Sequence, residues 1–247
     1  QFVHGEPILS KFWLIVKVRN GKSEARMILD TKGSGIKHAT SPSQRVIFPR
    51  LFDAVLRMLF LLSLSTAAIG SISSFVIDFS DAVWQIPIGD SELRFFCATA
   101  MLDGIRQYMV FLRVAQGSST APLLWARLAA LTMRLTQSLF PATKVNLMCF
   151  VDDPLAVLNG SDTERKTQAA TIILVSGALN FKLAYRKGQL SKTVTWIGGT
   201  LQCEPAGVSK EAIIEDIKSD LSKIAWSNVI SRKELHSLVG KLGHCAG

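Results

Sequence analysis

Cysteine is scarce and unpatterned in this sequence. The four residues, Cys97, Cys149, Cys203 and Cys245, form no C-x-x-C pair, and their spacing suggests neither a disulfide framework nor a zinc site. His244 beside Cys245 is too little for a metal centre. The thiols read as buried or incidental ones in a reducing compartment. No internal repeat is present, which excludes a repeat array, and no low-complexity tract. The N-terminus lacks a basic region followed by an apolar stretch, so no signal peptide is read there. The chain opens on Gln1 rather than Met and is taken as a piece of a longer protein. Charge is missing from Met58 to Ile77, nearly the length that crosses a membrane. Five serines, a threonine and a glycine interrupt that run, so a buried helix leading into a core strand fits it better. No membrane partner is expected.

What is present points elsewhere. The chain has 247 residues, 48% of them hydrophobic, enough for one large domain or two smaller cores. Its net charge is +9 and its pI about 9.6, which suits a polyanionic partner such as nucleic acid.

Residues 12–19 and 26–30 read as strands around a turn at Asn20-Gly21. The Ser-, Gly- and Thr-rich stretch 32–44 reads as loop, and 50–64 as helix. A short apolar strand, 75–79, contains Asp78. Asp103-Gly104 between 94–102 and 105–114 is a hairpin signal, since both turn residues must tolerate positive φ. After a polar break, a helix is expected over about 121–140, with Leu124, Leu128, Leu131 and Leu135 as its apolar stripe. A second hairpin, 147–151 and 155–158, carries Asp152-Asp153 at its tip. Helix is expected over 162–178, and an interrupted strand over 194–201 with a break at Gly198-Gly199. Two helices follow, one capped by Ser209 and one opening on a Ser231 to Glu234 capping box. Hairpins mixed with helices imply an α+β fold rather than alternating βαβ units.

Two adjacent carboxylates between apolar strands repel each other, and desolvation opposes their ionisation. A divalent cation resolves that conflict. Magnesium takes one or two protein carboxylates and fills its shell with water and substrate phosphates. Asp78 ends a strand in the same apolar style and is the expected third carboxylate. An isolated Asp-Asp is ordinarily a turn pair; its neighbours decide the matter here.

Val76-Ile-Asp78-Phe-Ser-Asp81-Ala82-Val83-Trp-Gln-Ile-Pro87 resembles the first catalytic motif of retroviral and retrotransposon reverse transcriptases. Phe150-Val-Asp152-Asp153 resembles their Tyr-x-Asp-Asp box. Gln116-Gly117 before Ala121-Pro122 is similar to Gln-Gly-x-x-x-Ser-Pro. Lys187, nine residues before Trp196-Ile-Gly198, resembles the fourth and primer-holding motifs, and Arg26-Met-Ile-Leu-Asp30 a fingers segment. Order and rough intervals agree over about residues 12–245. The resemblance implies a right-hand polymerase palm and fingers with a partial helical thumb. Residues 1–45 and 86–120 would be fingers, 46–85 and 121–200 palm, and 201–247 partial thumb or connection.

The resemblance also implies roles. Asp78 and Asp152 would bind two magnesium ions, with manganese as a substitute; Asp153 would complete the cluster and the Phe79 carbonyl one metal shell. Arg26, with Arg19 or Lys22 as weaker candidates, would neutralise the triphosphate of an incoming dNTP. Asp81, Ala82, Val83, Gln116 and Gly117 would contact that nucleotide, although Asp81 equally suits capping of the following turn. Lys187 would donate a proton to the leaving pyrophosphate. Trp196 and Gly198 would place the primer end, and Trp196 also suits a core position beside a bulge. Lys210, Lys218, Lys223, Arg232, Lys233 and Lys241 would track phosphates or form a solvated helix face.

Departures from the pattern are Val83 for an aromatic residue, Phe150 for Tyr, Ala121 for Ser, and Pro154 after the acidic pair. Val in place of the ring implies a looser gate against the ribose 2′-hydroxyl. Three readings stay open: an RNA-directed DNA polymerase acting on an RNA or DNA template–primer, a decayed retroelement domain that only binds nucleic acid, and an RNA-templated RNA polymerase. No protease, ribonuclease H or integrase constellation is seen; such domains would be partners in the parent polyprotein. An intracellular setting, cytoplasmic or nuclear, is the expectation.

Overall fold

The computed structural model describes residues 5–19, 22–40, 44–64, 72–204, 206–225 and 231–246. The expected turn at Asn20-Gly21 lies outside the described residues, as do 65–71 of the uncharged run. The side chains of Arg19, Lys22 and Cys245 are also outside them. The fold is α+β. The chain divides into two compact units, Gln1–Ile47 with Ser80–Leu131, and Phe48–Phe79 with Thr132–Gly247.

In the first unit, β1 (Leu9–Arg19) and β2 (Lys22–Asp30) pair antiparallel. β4 (Cys97–Leu102) and β5 (Ile105–Val110) form the Asp103-Gly104 hairpin, with both turn residues at positive φ. The sheet order is β2-β1-β4-β5. Leu29, Ala98 and Ala115 form its buried centre, with Phe12, Trp84 and Phe111 packed around them. The stretch expected to be all loop contains one short helix, α1 (Ile36–Ala39).

In the second unit, α2 (Leu51–Ser63) buries Leu51, Ala54, Met58 and Leu61, spaced to share one helical face. That face packs with Ile72, Val76, Leu155, Trp196 and Leu201. The sheet comprises β3 (Ile72–Val76), β6 (Val145–Phe150), β7 (Asp153–Asn159) and β8 (Gln189–Ser191), in the order β6-β7-β3-β8. β3 is buried at every position, as a central strand covered on both faces should be. A second sheet, β11-β10-β9, comprises β9 (Thr193–Trp196), β10 (Gly199–Cys203) and β11 (Ala206–Ser209). No helix among the described residues is long and apolar enough to cross a membrane.

Several local expectations are corrected. β8 was not foreseen; three residues are too few for periodicity to register. Gly198-Gly199 does not interrupt one strand: Ile197 and Gly198, both at positive φ, form a two-residue turn joining β9 to β10. α3 (Ala121–Gln137) buries Ala121, Trp125, Ala129, Thr132, Met133 and Thr136, whereas Leu124, Leu131 and Leu135 are exposed. The buried set is as helical in its spacing as the leucine set, so pattern alone favoured the wrong face. α4 (Asp162–Ala178) carries a Ser161–Glu164 capping box. α5 (Glu211–Ala225) begins after Lys210, so Ser209 belongs to β11 and is not its cap. α6 (Arg232–Ala246) has its expected box: Glu234 N–H donates to Ser231 Oγ at 3.2 Å, and Ser231 N–H to Glu234 Oε2 at 2.9 Å.

Candidate active site

Strand register assembles the acidic residues. β3 pairs Val76 with Leu155 of β7 and with Gln189 of β8. Carrying each antiparallel register two residues further sets Asp153 on one side of Asp78 and Lys187 on the other. Backbone bonds continue the pairing past the strand end. Phe79 N–H donates to Asp152 O at 2.9 Å, Ile77 N–H to Pro154 O at 3.2 Å, and Ala184 N–H to Asp78 O at 2.8 Å. Asp153 is the first residue of β7, opposite Phe150, so the hairpin tip is Val151-Asp152 rather than Asp152-Asp153. Val151 has φ 52°, a left-handed conformation that a β-branched residue adopts only when its surroundings impose it.

The three carboxylates each place an oxygen within 4.8 Å of the others. Asp78 is buried, and its Oδ1 accepts no hydrogen bond. Its Oδ2 accepts from Lys187 Nζ. Lys187 ends a 3₁₀ turn, Tyr185–Lys187, and its side chain is largely exposed. The Asp78 hydrogen bond holds its ammonium above the usual lysine range. Burial, then the Asp152 and Asp78 charges, push the Asp153 carboxyl up to about 6, with Lys187 pulling the other way. An orphaned buried oxygen among mutually repelling carboxylates suits a divalent cation, whose charge reverses both penalties. The donor set is all oxygen, which suits a hard divalent cation.

Trp196 is 1% exposed, a core residue of the second unit. Its indole N–H donates to Asp153 O at 2.9 Å, so it acts on the acidic strand from beneath. The sequence alternative of a core tryptophan therefore holds, with a turn in place of the bulge. Gly198 is exposed at that turn. A cleft of about 340 Å³ lies between the turn and the carboxylates, lined by Asp78, Asp153, Lys187, Gln189, Thr195 and Ile197 among others. Phe79 is buried, edge-on to Phe181 at 5.4 Å, so only its backbone is available to the site. Phe150 lacks a hydroxyl but packs against Phe48, with centroids 5.3 Å apart. Cys149 donates its thiol to Val151 O at 3.3 Å; burial and the nearby Asp152 and Asp153 push its pKa far up, so it is protonated and inert.

The remaining candidates belong to the first unit. Arg26 is exposed on β2. Asp81 is exposed at φ 51°, and precedes a 3₁₀ turn, Ala82–Gln85, without a side-chain cap bond. Ala82 is buried and Val83 half-buried. Gln116 O accepts from Leu29 N–H at 2.7 Å, and Gly117 O from Thr31 Oγ1 at 2.8 Å. A Cβ at Gly117, φ 100°, would lie 2.1 Å from Leu29 O. The glycine is thus required by close approach to β2, a reason the motif alone does not reveal. Of the six basic residues on α5, α6 and just before α5, Lys218 pairs with Glu215 at 2.6 Å, Lys223 with Asp220 at 3.9 Å, and Lys241 with Asp220 at 2.7 Å.

No protein-family model matches the chain, and no curated protein does. Its fold is similar to solved structures of the foamy viral protease-reverse transcriptase. The dRH form in complex with double-stranded DNA gives a TM-score of 0.66 at 18% identity, covering 98% of this chain and 37% of that one. The complex with an RNA/DNA hybrid gives 0.59 at 18%, covering 97% and 28%. Another complex with double-stranded DNA gives 0.57 at 19%, covering 98% and 44%. The chain therefore has a reverse-transcriptase-like fold and spans less than half the length of the chains it resembles.

Proposed function

We propose that this chain is the polymerase core of a retroelement reverse transcriptase, extending a primer 3′-hydroxyl with dNTPs on an RNA or DNA template. The observation that carries the reading is the Asp78, Asp152 and Asp153 cluster, assembled by strand register around a buried, unpaired Asp78 Oδ1. Asp78 and Asp152 would hold two magnesium ions, with Asp153 and the Phe79 carbonyl completing the oxygen set. When bound, the ions lower the pKa of the attacking hydroxyl and neutralise the leaving pyrophosphate. Lys187, kept protonated by its neighbours, would give that leaving group a proton. Arg26, Asp81, Ala82, Val83, Gln116 and Gly117 would receive the nucleotide, and Trp196 and Gly198 would support the primer end. On this reading 1–45 and 86–120 are fingers, 46–85 and 121–200 palm, and 201–247 a partial thumb. Its other partners are further domains of a polyprotein, and its setting is intracellular.

The test is primer extension on poly(rA)–oligo(dT) with dTTP and magnesium, beside Asp152→Asn. Extension by the native chain alone supports the reading; equal extension by both sinks it. A second reading, a domain that binds nucleic acid without catalysis, draws on the Lys187–Asp78 ion pair, which occupies an oxygen a metal needs. Bound template–primer without extension by either chain would favour it. Ribonucleotides in the same assay report on Val83: sugar discrimination unchanged in Val83→Phe would refute the loose gate.

A further inference from the structure

β9 is an edge strand of its sheet. Its pairing sets Trp196 opposite Gly199, flanking the turn, and Thr195 opposite Thr200. Next to a two-residue turn, the flanking pair exchanges hydrogen bonds and the following pair does not. Thr195 therefore turns its N–H and C=O away from β10, where no strand of its own sheet meets them. One side chain meets both. Gln189 Oε1 accepts from Thr195 N–H at 2.9 Å, and Gln189 Nε2 donates to Thr195 O at 3.2 Å. Gln189 belongs to the other sheet, where its backbone pairs with Val76 on the strand leading to Asp78. A primary amide offers donor and acceptor side by side, as a peptide group does, so it substitutes for a strand between β8 and β9. A glutamine on a short strand is ordinarily solvated. Here both amide atoms are used on one residue's backbone, at the wall of the carboxylate cleft.

We infer that Gln189 is a positioning residue: its amide fork ties β9, just before the Ile197-Gly198 turn, to the sheet whose strand β3 leads to Asp78, and so fixes where a primer end rests. The inference rests on the polymerase reading and adds a residue to it. Gln189 touches no reacting atom, so its loss should weaken template–primer engagement more than the chemical step.

The experiment compares the native chain with Gln189→Ala and Gln189→Glu. Glutamate keeps the acceptor for Thr195 N–H and loses the donor to Thr195 O. Hydrogen exchange at the Thr195 amide, read by NMR, should quicken about tenfold in the alanine variant and less in the glutamate one. In primer extension, KM for template–primer should rise about fivefold to tenfold in Gln189→Ala, with kcat within about twofold and Gln189→Glu intermediate. Unchanged Thr195 exchange in Gln189→Ala overturns the clamp. Faster exchange with an unchanged KM, or with the loss confined to kcat, overturns the positioning role. A native chain that does not extend primers removes the polymerase reading and this role with it, while the exchange rates still report whether the clamp exists.

Discussion

At the residue scale the acidic turn stores a pH-dependent cost. Asp153 has an ordinary carboxyl value of 3.8, and burial with the Asp152 and Asp78 charges raises it to about 6 in the fold. The folded chain thus prefers the protonated acid. The stability this contributes is fully present below about pH 3.8 and is lost as pH rises through about 6. Asn at this position stays neutral at every pH. Metal-free Asp153→Asn should therefore match the native chain near pH 4 and exceed it at pH 7. The full shift corresponds to about 3 kcal/mol, but the side chain is half-exposed, and screening reduces the expected gain to about 1 kcal/mol. For a chain of 247 residues that is a rise of about 2–4 °C in Tm. Thermal melts in EDTA at the two pH values check it; equal Tm at pH 7 would mean the acids do not strain one another. Millimolar magnesium should narrow the gap by stabilising the native chain, with its full oxygen set, more than the variant.

At the scale of the element, α3 separates what a pattern reveals from what packing decides. Its existence and start were legible from Pro122 and the polar break before it. Its buried face was not, because two interleaved sets have helical spacing and the leucines look more like a core than alanines and threonines do. Small residues let a backbone approach closely, and a single large ring, Trp125 at 1% exposure, fills what remains. Trp125→Ala should cost about 3–5 kcal/mol, and Leu131→Ala, at 50% exposure, under about 1 kcal/mol. Urea unfolding of the two variants decides it; a larger loss at Leu131 would return the core to the leucine face. The same division holds at the site. Asp152 and Asp153 were legible through the motifs around them, since an Asp-Asp pair taken alone is ordinarily a turn. Gln189 was not, because its partner is a backbone in another sheet and only register brings them together. Gly117 was legible as a motif glycine, yet the steric need for it comes from Leu29 O, near Thr31, whose hydroxyl bonds the Gly117 carbonyl from 86 residues away.

For the whole molecule the governing quantities are charge and chain path. The α+β class followed from the order of hairpins and helices. The division into two units was harder to read, since each is built from two separated stretches and no linker composition marks the crossings. Charge needs no such parsing. With 28 basic and 19 acidic residues, a polyanion is drawn to the chain as a whole, and each phosphate neutralised releases counterions. Affinity for a fluorescent template–primer should therefore fall at least about tenfold between 50 and 200 mM KCl, a log–log slope steeper than about −1.6. A flat response would mean that the lysines are occupied as Lys218, Lys223 and Lys241 are, in ion pairs with acids of α5. Asp152→Asn gives the sharper test, because binding and chemistry draw on different charges. Without metal it removes one negative charge from the cleft, so its affinity should equal or slightly exceed the native value, with the same salt slope. If it abolished binding together with extension, the acidic turn would be a structural support for the nucleic-acid surface, and the metal-binding role assigned to Asp152 would fail.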